Sequence, residues 1–330
     1  MLCMILVSCT GQKTGKENDN NDKIAIEVGE IKFPPQDVLQ LKSYYLSSSV
    51  HVDSIDYLIG YNYRLHSLDC MNLKSKSVTQ IVLPGDGPDA IVRLSGIYAQ
   101  SLDSVWISDE SERAFLIDSV GTIKRMIDLK KYLEDQEQLL INTNYAMFTS
   151  HLFYNASRHS LMFLVKHTPS NTFIVKEVFI DEVGKMATYQ LSSSKVVPDM
   201  SKGYAYINFP NVNFVGENIV YNYPVESSIY MLDIRTNERK YILADSHYTS
   251  NIIEKCTTSG DYATLEKHWL ENSHFYDIMY LPKYKIYARL HADKVDFDEK
   301  KGMEKLINER DLYLMLFDEN MEKIGETKLS

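Results

Sequence analysis

Leu6-Val7-Ser8-Cys9 sets a thiol directly after an apolar run and one small residue, and the polar stretch Thr10 to Asp22 follows it. That order is the cleavage-site pattern of a bacterial lipoprotein signal, in which the cysteine takes lipid and becomes the first residue of the mature chain. The chemistry expected at Cys9 is therefore acylation. Residues 1–8 then read as a signal-peptide remnant and 9–22 as a lipidated tether. Gly11 to Asp22 has no apolar side chain to bury, so the tether is expected to be disordered. Two features depart from a full secretory signal: no Lys or Arg precedes Lys13, and the apolar run is short. The rival reading is a cytosolic protein with a chance apolar tip. Lipid on Cys9 would instead place the chain in the cell envelope, on the periplasmic or surface side of the outer membrane.

Carboxylates come next. Asp86 and Asp89 lie in Leu83-Pro84-Gly85-Asp86-Gly87-Pro88-Asp89, and Asp109 precedes Glu110 with Arg113 nearby. Paired carboxylates are what glycoside chemistry needs, but only their separation in space decides it. The rival reading is solvated acids in a blade-to-blade turn. Two Asp beside a lone Gly-x-Gly would repel phosphate. A third group combines rings with amides and an acid: Tyr206, Asn208, Asn211, Tyr223 and Glu226. Rings stack on the apolar face of a sugar while amides bond its hydroxyls, and the rival reading is packing at a sheet edge. The nine His form no His-Glu-x-x-His, and no Gly-x-Ser-x-Gly elbow is present. No catalytic residue, metal ligand or cofactor is assigned.

Composition narrows the partners. With 35 Lys+Arg against 45 Asp+Glu among 330 residues, the net charge is −10, and no basic stretch exists to neutralise nucleic-acid phosphates. Beyond residue 9 no apolar run approaches the ~20 residues that span a bilayer. Of the cysteines, Cys3 leaves with the signal and Cys9 takes lipid. Cys70 and Cys256 remain and are expected to stay unpaired. The 23 Tyr suit strands, and also suit a wet recognition surface.

The elements that must position these residues are strands. From residue 50 onward one phrase recurs: strand, polar gap, a strand ending in apolar-x-Asp, a turn, then a polar outer strand. The Asp residues stand at 69, 118, 181, 233 and 318, with Gly121, Gly184, Asn237 and Asn320 downstream. Asp closes a strand by accepting turn N–H groups, and Gly or Asn supplies positive φ. A period near fifty with about four strands per unit predicts an all-β propeller over residues 23–330. A two-sheet sandwich is the runner-up. Five units are visible, and Ile24, Ile26, Val28, Ile31 and Phe33 are expected to help complete a sixth blade. Helical spacing predicts short inter-blade helices over Lys130–Leu140 and after Asp261, and a further helix is expected over Gly302–Arg310, inside the fifth blade.

The chain resembles the TolB-like, six-bladed β-propeller lipoproteins of Gram-negative bacteria. The likeness is carried by the segment ending at Cys9, by Leu83 to Asp89, by Ile207 to Phe214, and by Tyr276 to Tyr280 through Tyr287-Ala288-Arg289. It implies the fold and the compartment and transfers no catalytic residue. The function expected is a binding or scaffolding module that presents its loop face to a glycan, peptide or envelope protein. The alternatives are a carbohydrate-active hydrolase or lyase on the same face, and a structural envelope component.

Overall fold

The structure is a computed structural model and describes residues 3–8, 25–33, 44, 46–141, 151–196, 209–256 and 261–329. Cys9, the tether to Asp22, Tyr206 and Asn208 lie outside the described residues.

Strand β1 (Cys3–Ser8) pairs antiparallel with β2 (Ala25–Glu30), Ile5 opposite Val28. This is the first difference from expectation. The N-terminal strand material joins a two-stranded sheet of its own instead of completing a sixth blade. Among the described residues there are five blades.

The first blade runs β3 (Ser47–Val52), β4 (Ile55–Asn62), β5 (Ser67–Asn72) and β6 (Val78–Val82). The second runs β7 (Leu94–Ser101), β8 (Ser104–Asp109), β9 (Arg113–Ile117) and β10 (Ile123–Asp128). In the third, β11 (Glu137–Leu139) and β12 (Phe153–Asn155) each pair with part of β13 (Ser160–His167), and β14 (Thr172–Phe179) and β15 (Met186–Gln190) follow. The fourth comprises β16 (Asn211–Val215), β17 (Asn218–Asn222), β18 (Ile229–Asp233) and β19 (Arg239–Ile242). The fifth comprises β20 (His274–Leu281), β21 (Ile286–Ala292), β22 (Leu312–Phe317) and β23 (Lys323–Leu329). All pairings are antiparallel meanders. The strand pattern has a packing cause. Middle strands such as β5 and β13 are buried on both faces, whereas the outer strands β6 and β15 expose most of their residues.

The chain divides into two compact units. One is built from Ile31–Ala146 and Ser150–Ser192 and holds the first three blades; the other includes Cys3–Glu30 and Ser193–Ser330 and holds the last two. Within the first unit, one apolar layer joins Ile59, Leu68 and Ile81 to Ile97, Ile107 and Phe115. A second layer joins Trp106 to Leu161, Phe163 and Val178. In the second unit Val220 and Ile229 meet Ile278, Met315 and Phe317. Each layer lies between successive sheets, which is blade packing rather than one sandwich core.

At three of the five positions Asp closes the turn as read, although after Asp318 the positive φ falls on Met321 (+66°) and not on Asn320. Asp118 Oδ1 accepts from Val120 and Thr122 N–H, Asp233 Oδ1 from Arg235 and Thr236, and Asp318 Oδ1 from Asn320 and Glu322. After Asp118, Gly121 has φ +84°, and a Cβ there would run into the Val82 carbonyl. Asp69 and Asp181 do other things. Asp69 is fully buried on β5 and accepts from Tyr44 Oη, Asn62 Nδ2 (3.0 Å) and Gln80 Nε2 (2.6 Å). The turn there is capped by Asn72, which takes the N–H groups of Lys74 and Ser75. Asp181 is exposed and pairs with Arg125 at 3.1 Å.

Two helices sit where expected: α1 (Tyr262–Leu270), N-capped by Asp261, which accepts from Thr264 N–H, and α2 (Met303–Glu309). Lys130–Leu140 is not a helix. One 3₁₀ turn, Leu129–Tyr132, gives way to β11, because Lys176 of β14 draws Glu137 and the Tyr132 carbonyl onto the sheet. No helix among the described residues is long and apolar enough to cross a membrane. Cys70 is a buried free thiol, and burial pushes it up to about 11.

Candidate functional site

In the first unit the Leu83–Asp89 segment is a connection from the first blade to the second. Ile91 N–H donates to the Pro84 carbonyl and Ala90 N–H to Gly87, with Gly87 at φ +91°. Asp86 and Asp89 are both exposed there. Asp109 is not: it is 1% exposed at the end of β8. Its Oδ1 accepts from Ser111 and Arg113 N–H, and its Oδ2 accepts from Arg113 Nη2 at 2.6 Å. The same guanidinium donates to the Ala90 carbonyl, so the pair pins the blade connection to the neighbouring turn. Both Asp109 oxygens are taken up by donors of Arg113 and of its own turn, and Asp109 is buried while Glu110 is exposed, so the two do not form the carboxylate pair considered above. Asp109→Ala is expected to lower stability by roughly 1–3 kcal/mol, measured by urea denaturation, because a half-buried guanidinium and turn N–H groups lose their acceptor.

In the second unit Asn211 is 2% exposed and donates to the Phe275 carbonyl at 3.0 Å, tying the fourth blade to the fifth. Tyr223 was expected on an exposed face and is instead 2% exposed, edge-on to Tyr221 and Tyr230, which stack at 5.1 Å. Strand packing claims this ring, as it does most tyrosines of the fourth blade. Glu226 is buried and accepts from Tyr230 Oη at 2.9 Å. Burial pushes its carboxyl above the usual range, and the Ser194, Tyr230 and Ser228 hydroxyls and Arg289 offset this only in part.

The densest polar chemistry lies where β19 leads toward α1. Ser246 Oγ accepts the N–H groups of Tyr248 and Thr249 and donates to Glu326 Oε1. Asn251 takes the Ser246 N–H on Oδ1 and returns Nδ2 to the Ser246 carbonyl. His247 N–H reaches Glu326 Oε2, Ser227 N–H reaches the Asn251 carbonyl, and Ile253 N–H reaches that of Val225. A connection of ten residues is thus held at nearly every turn, while His247, Tyr248 and Ser250 remain exposed on it.

Beneath the connection is a row of rings. Phe275, His291 and Tyr313 are directly opposite one another on β20, β21 and β22. Cross-strand partners stack at this spacing. Centroids are 5.5 Å apart for Phe275–His291 and 5.2 Å for His291–Tyr313, with interplanar angles of 19° and 20°. Tyr248 extends the row at 4.9 Å and 19° from Tyr313. At its inner end Arg289, fully buried, lies over Phe275 at 4.8 Å and donates to the Ser227 and Ala244 carbonyls.

Ser246, His291 and Glu326 bring together the residue types of a nucleophilic triad, but not its geometry. Ser246 Oγ and Glu326 Oε1 both meet His291 Nε2, each at 3.1 Å, and Nδ1 has no partner. A triad needs the acid on the far nitrogen and a hydroxyl proton aimed at the imidazole. Here the hydroxyl proton goes to the carboxylate. The cluster is a brace.

Its electrostatics predict acid sensitivity. Burial alone would raise the Glu326 carboxyl, but donors from His291, Ser246, His247 and Lys323 hold it at about 2. Burial lowers His291, and holds His274, which accepts from Trp269 Nε1, at about 3. All three lie below their unfolded values of 6.5 for His and 4.5 for Glu, so the unfolded chain binds more protons. Stability is full above pH 6.5 and is lost as pH falls toward 3 and then 2. Between pH 7 and pH 3.5 urea titrations are expected to lose roughly 3–5 kcal/mol. A flat profile over that range would contradict the buried neutral imidazoles.

Of the residues singled out in sequence, the structure exposes Asp86 and Asp89, half-buries Arg113, and buries Asp109, Asn211, Tyr223 and Glu226. The brace under the connection was missed. Its one sequence signal was Arg289 and His291 at alternate positions of an otherwise apolar strand. Among the described residues no His, Cys, Asp and Glu group could hold a metal ion.

A family model described as "Domain of unknown function (DUF4221)" matches residues 17–328. A crystal structure of a member of that family from Bacteroides vulgatus is 15% identical, covers 90% of this chain and 84% of its own, and superposes with a TM-score of 0.61. A nidogen/laminin complex gives 0.46 at 10% identity, covering 98% and 92%, and the hydrazine synthase of Kuenenia stuttgartiensis gives 0.45 at 11%, covering 90% and 69%. No curated protein matches.

Proposed function

The chain belongs to the DUF4221 family, and from that premise we propose that it is a cell-envelope lipoprotein, anchored through lipid on Cys9, that binds a ligand on the connections between its blades. The observation that carries this is the Ala244–Ile253 connection. It exposes His247, Tyr248 and Ser250 while its backbone is fixed by Ser246, Asn251 and Glu326. A surface ordered before contact loses little conformational entropy on binding, which is what a recognition loop requires. The exposed acids Asp86 and Asp89 are offered as contacts on the first unit, and Tyr206 and Asn208 join the candidates on sequence grounds. A glycan is the ligand class favoured, with peptides and envelope proteins as rivals. The resemblance to TolB-like lipoproteins supports the address.

A glycan array with turnover assays on the same sugars tests the binding role. Binding without turnover is expected, and turnover would replace this reading with a hydrolase or lyase. Mass spectrometry of protein expressed in a Gram-negative host with a complete signal is expected to find a diacyl or triacyl mass at Cys9. Unmodified Cys9 in a cytosolic fraction would remove the anchor.

A further inference from the structure

Tyr248 is 53% exposed although its backbone is fixed and one face of its ring is stacked on Tyr313. The open surface is therefore the opposite face of the ring. That ring cannot collapse inward, because Tyr313, His291 and Phe275 fill the row behind it and are buried. Most exposed tyrosines are mobile. This one is a flat, oriented apolar plate backed by three more rings.

What borders the plate selects its occupant. Tyr313, on which Tyr248 stacks, stands directly opposite Lys328 of β23, which pairs with Asp311, and the Asp311 carbonyl accepts Asp293 N–H. The Lys328–Asp311 pair closes at 2.6 Å with side chains 53% and 48% exposed. His247 and Ser250 flank Tyr248 along the chain and are exposed. An acyl chain or an aliphatic side chain laid on the ring would strip water from these charges without replacing its hydrogen bonds. A phosphate would face Asp311 and Asp293. A neutral sugar suits both parts: its C–H face covers a ring, and its equatorial hydroxyls donate to carboxylates and accept from an ammonium.

We propose that the open face of Tyr248 is a stacking platform for a pyranose ring, with Lys328, Asp311 and Asp293 as partners for the sugar hydroxyls. This rests on the binding reading above and names its ligand class and one contact point.

The test uses the folded full chain and a panel of neutral oligosaccharides, including cellohexaose, xylohexaose and mannohexaose, each at about 10 mM in saturation-transfer NMR. At least one is expected to bind with its ring C–H protons saturated most strongly. Tyr248→Ala is expected to weaken that sugar roughly tenfold, whereas Tyr248→Phe, which keeps the ring, stays within about threefold. Lys328→Met is expected to weaken it severalfold, and Glu182→Gln, at an exposed turn of the other unit, to leave it unchanged. Thermal melts confirm that each variant is folded. Equal sugar binding by Tyr248→Ala and wild type overturns the platform while leaving a binding module. Failure of every sugar to bind overturns it too, and retention of an envelope protein by the wild type would then show that binding itself survives. Failure of both would remove the two readings together.

Discussion

Arg289→Ala is expected to lower the unfolding free energy by roughly 3–5 kcal/mol, the largest loss from any single change in the second unit. The guanidinium is fully buried between Phe275 and Phe317, at 4.8 and 5.8 Å, and donates to two carbonyls and to Met315 Sδ. Desolvation lowers it to about 9, against the pull of Glu326, Asp245 and Glu226. Removing it takes the guanidinium donors from two buried carbonyls, leaves a cavity between two rings, and removes a counter-charge from Glu226, Asp245 and Glu326. Arg289→Lys is expected to recover less than half of the loss, because an ammonium cannot fork to two carbonyls while lying flat on a ring. Urea midpoints at constant m-value check this, and a loss below about 1 kcal/mol for the alanine variant would contradict it.

The second large effect is in the third blade. Glu177 has no exposed surface and accepts from four donors: Arg158 Nε and Nη2 at 2.7 and 3.0 Å, Ser160 Oγ, and Tyr189 Oη at 2.7 Å. Glu177→Ala is expected to destabilise by about 3 kcal/mol, since the Ser160 hydroxyl has no water to turn to, although Arg158, 28% exposed, can rotate outward. Its sequence neighbour Lys176 points to the other face of the strand, pairing with Glu137 and the Tyr132 carbonyl. Lys176→Met is expected to cost more than Glu177→Ala, because it leaves the Glu137 carboxylate, 3% exposed, without its cation and without water, whereas Arg158 can reach solvent. The reverse order in denaturation experiments would mean that the two pairs have been ranked wrongly.

Much of the fold was legible because strand alternation and turn chemistry are local. Asp118, Asp233 and Asp318 do at their turns what their side chains favour intrinsically, and Asp261 caps α1 for the same reason. Asp69 was misread because an apolar-x-Asp phrase does not distinguish a turn from a buried strand; Asn72, three residues on, takes the turn. The sixth blade failed on a long-range fact: β2 finds its partner in Cys3–Ser8, and no alternation pattern states which strand pairs with which. Tyr223 and Asp109 show the same limit at the site. A tyrosine or aspartate in a strand-to-turn segment has identical local signals whether it faces water or a neighbouring sheet. The brace of Ser246, Arg289, His291 and Glu326 draws on three separate segments, so only the polar residues inside β21 marked it.

Backbone hydrogen exchange on the unliganded full chain tests the central claim, that the connection over the fifth blade is ordered before any ligand arrives. The amides of His247, Tyr248, Thr249 and Ile253 are expected to exchange at rates comparable with those of β20 to β22, each having a named acceptor. Glu326→Gln is expected to speed exchange at His247, Tyr248 and Thr249 while leaving the third blade unchanged. Exchange of these amides within seconds in the wild-type chain, as in an unconstrained surface loop, would contradict a pre-organised binding face.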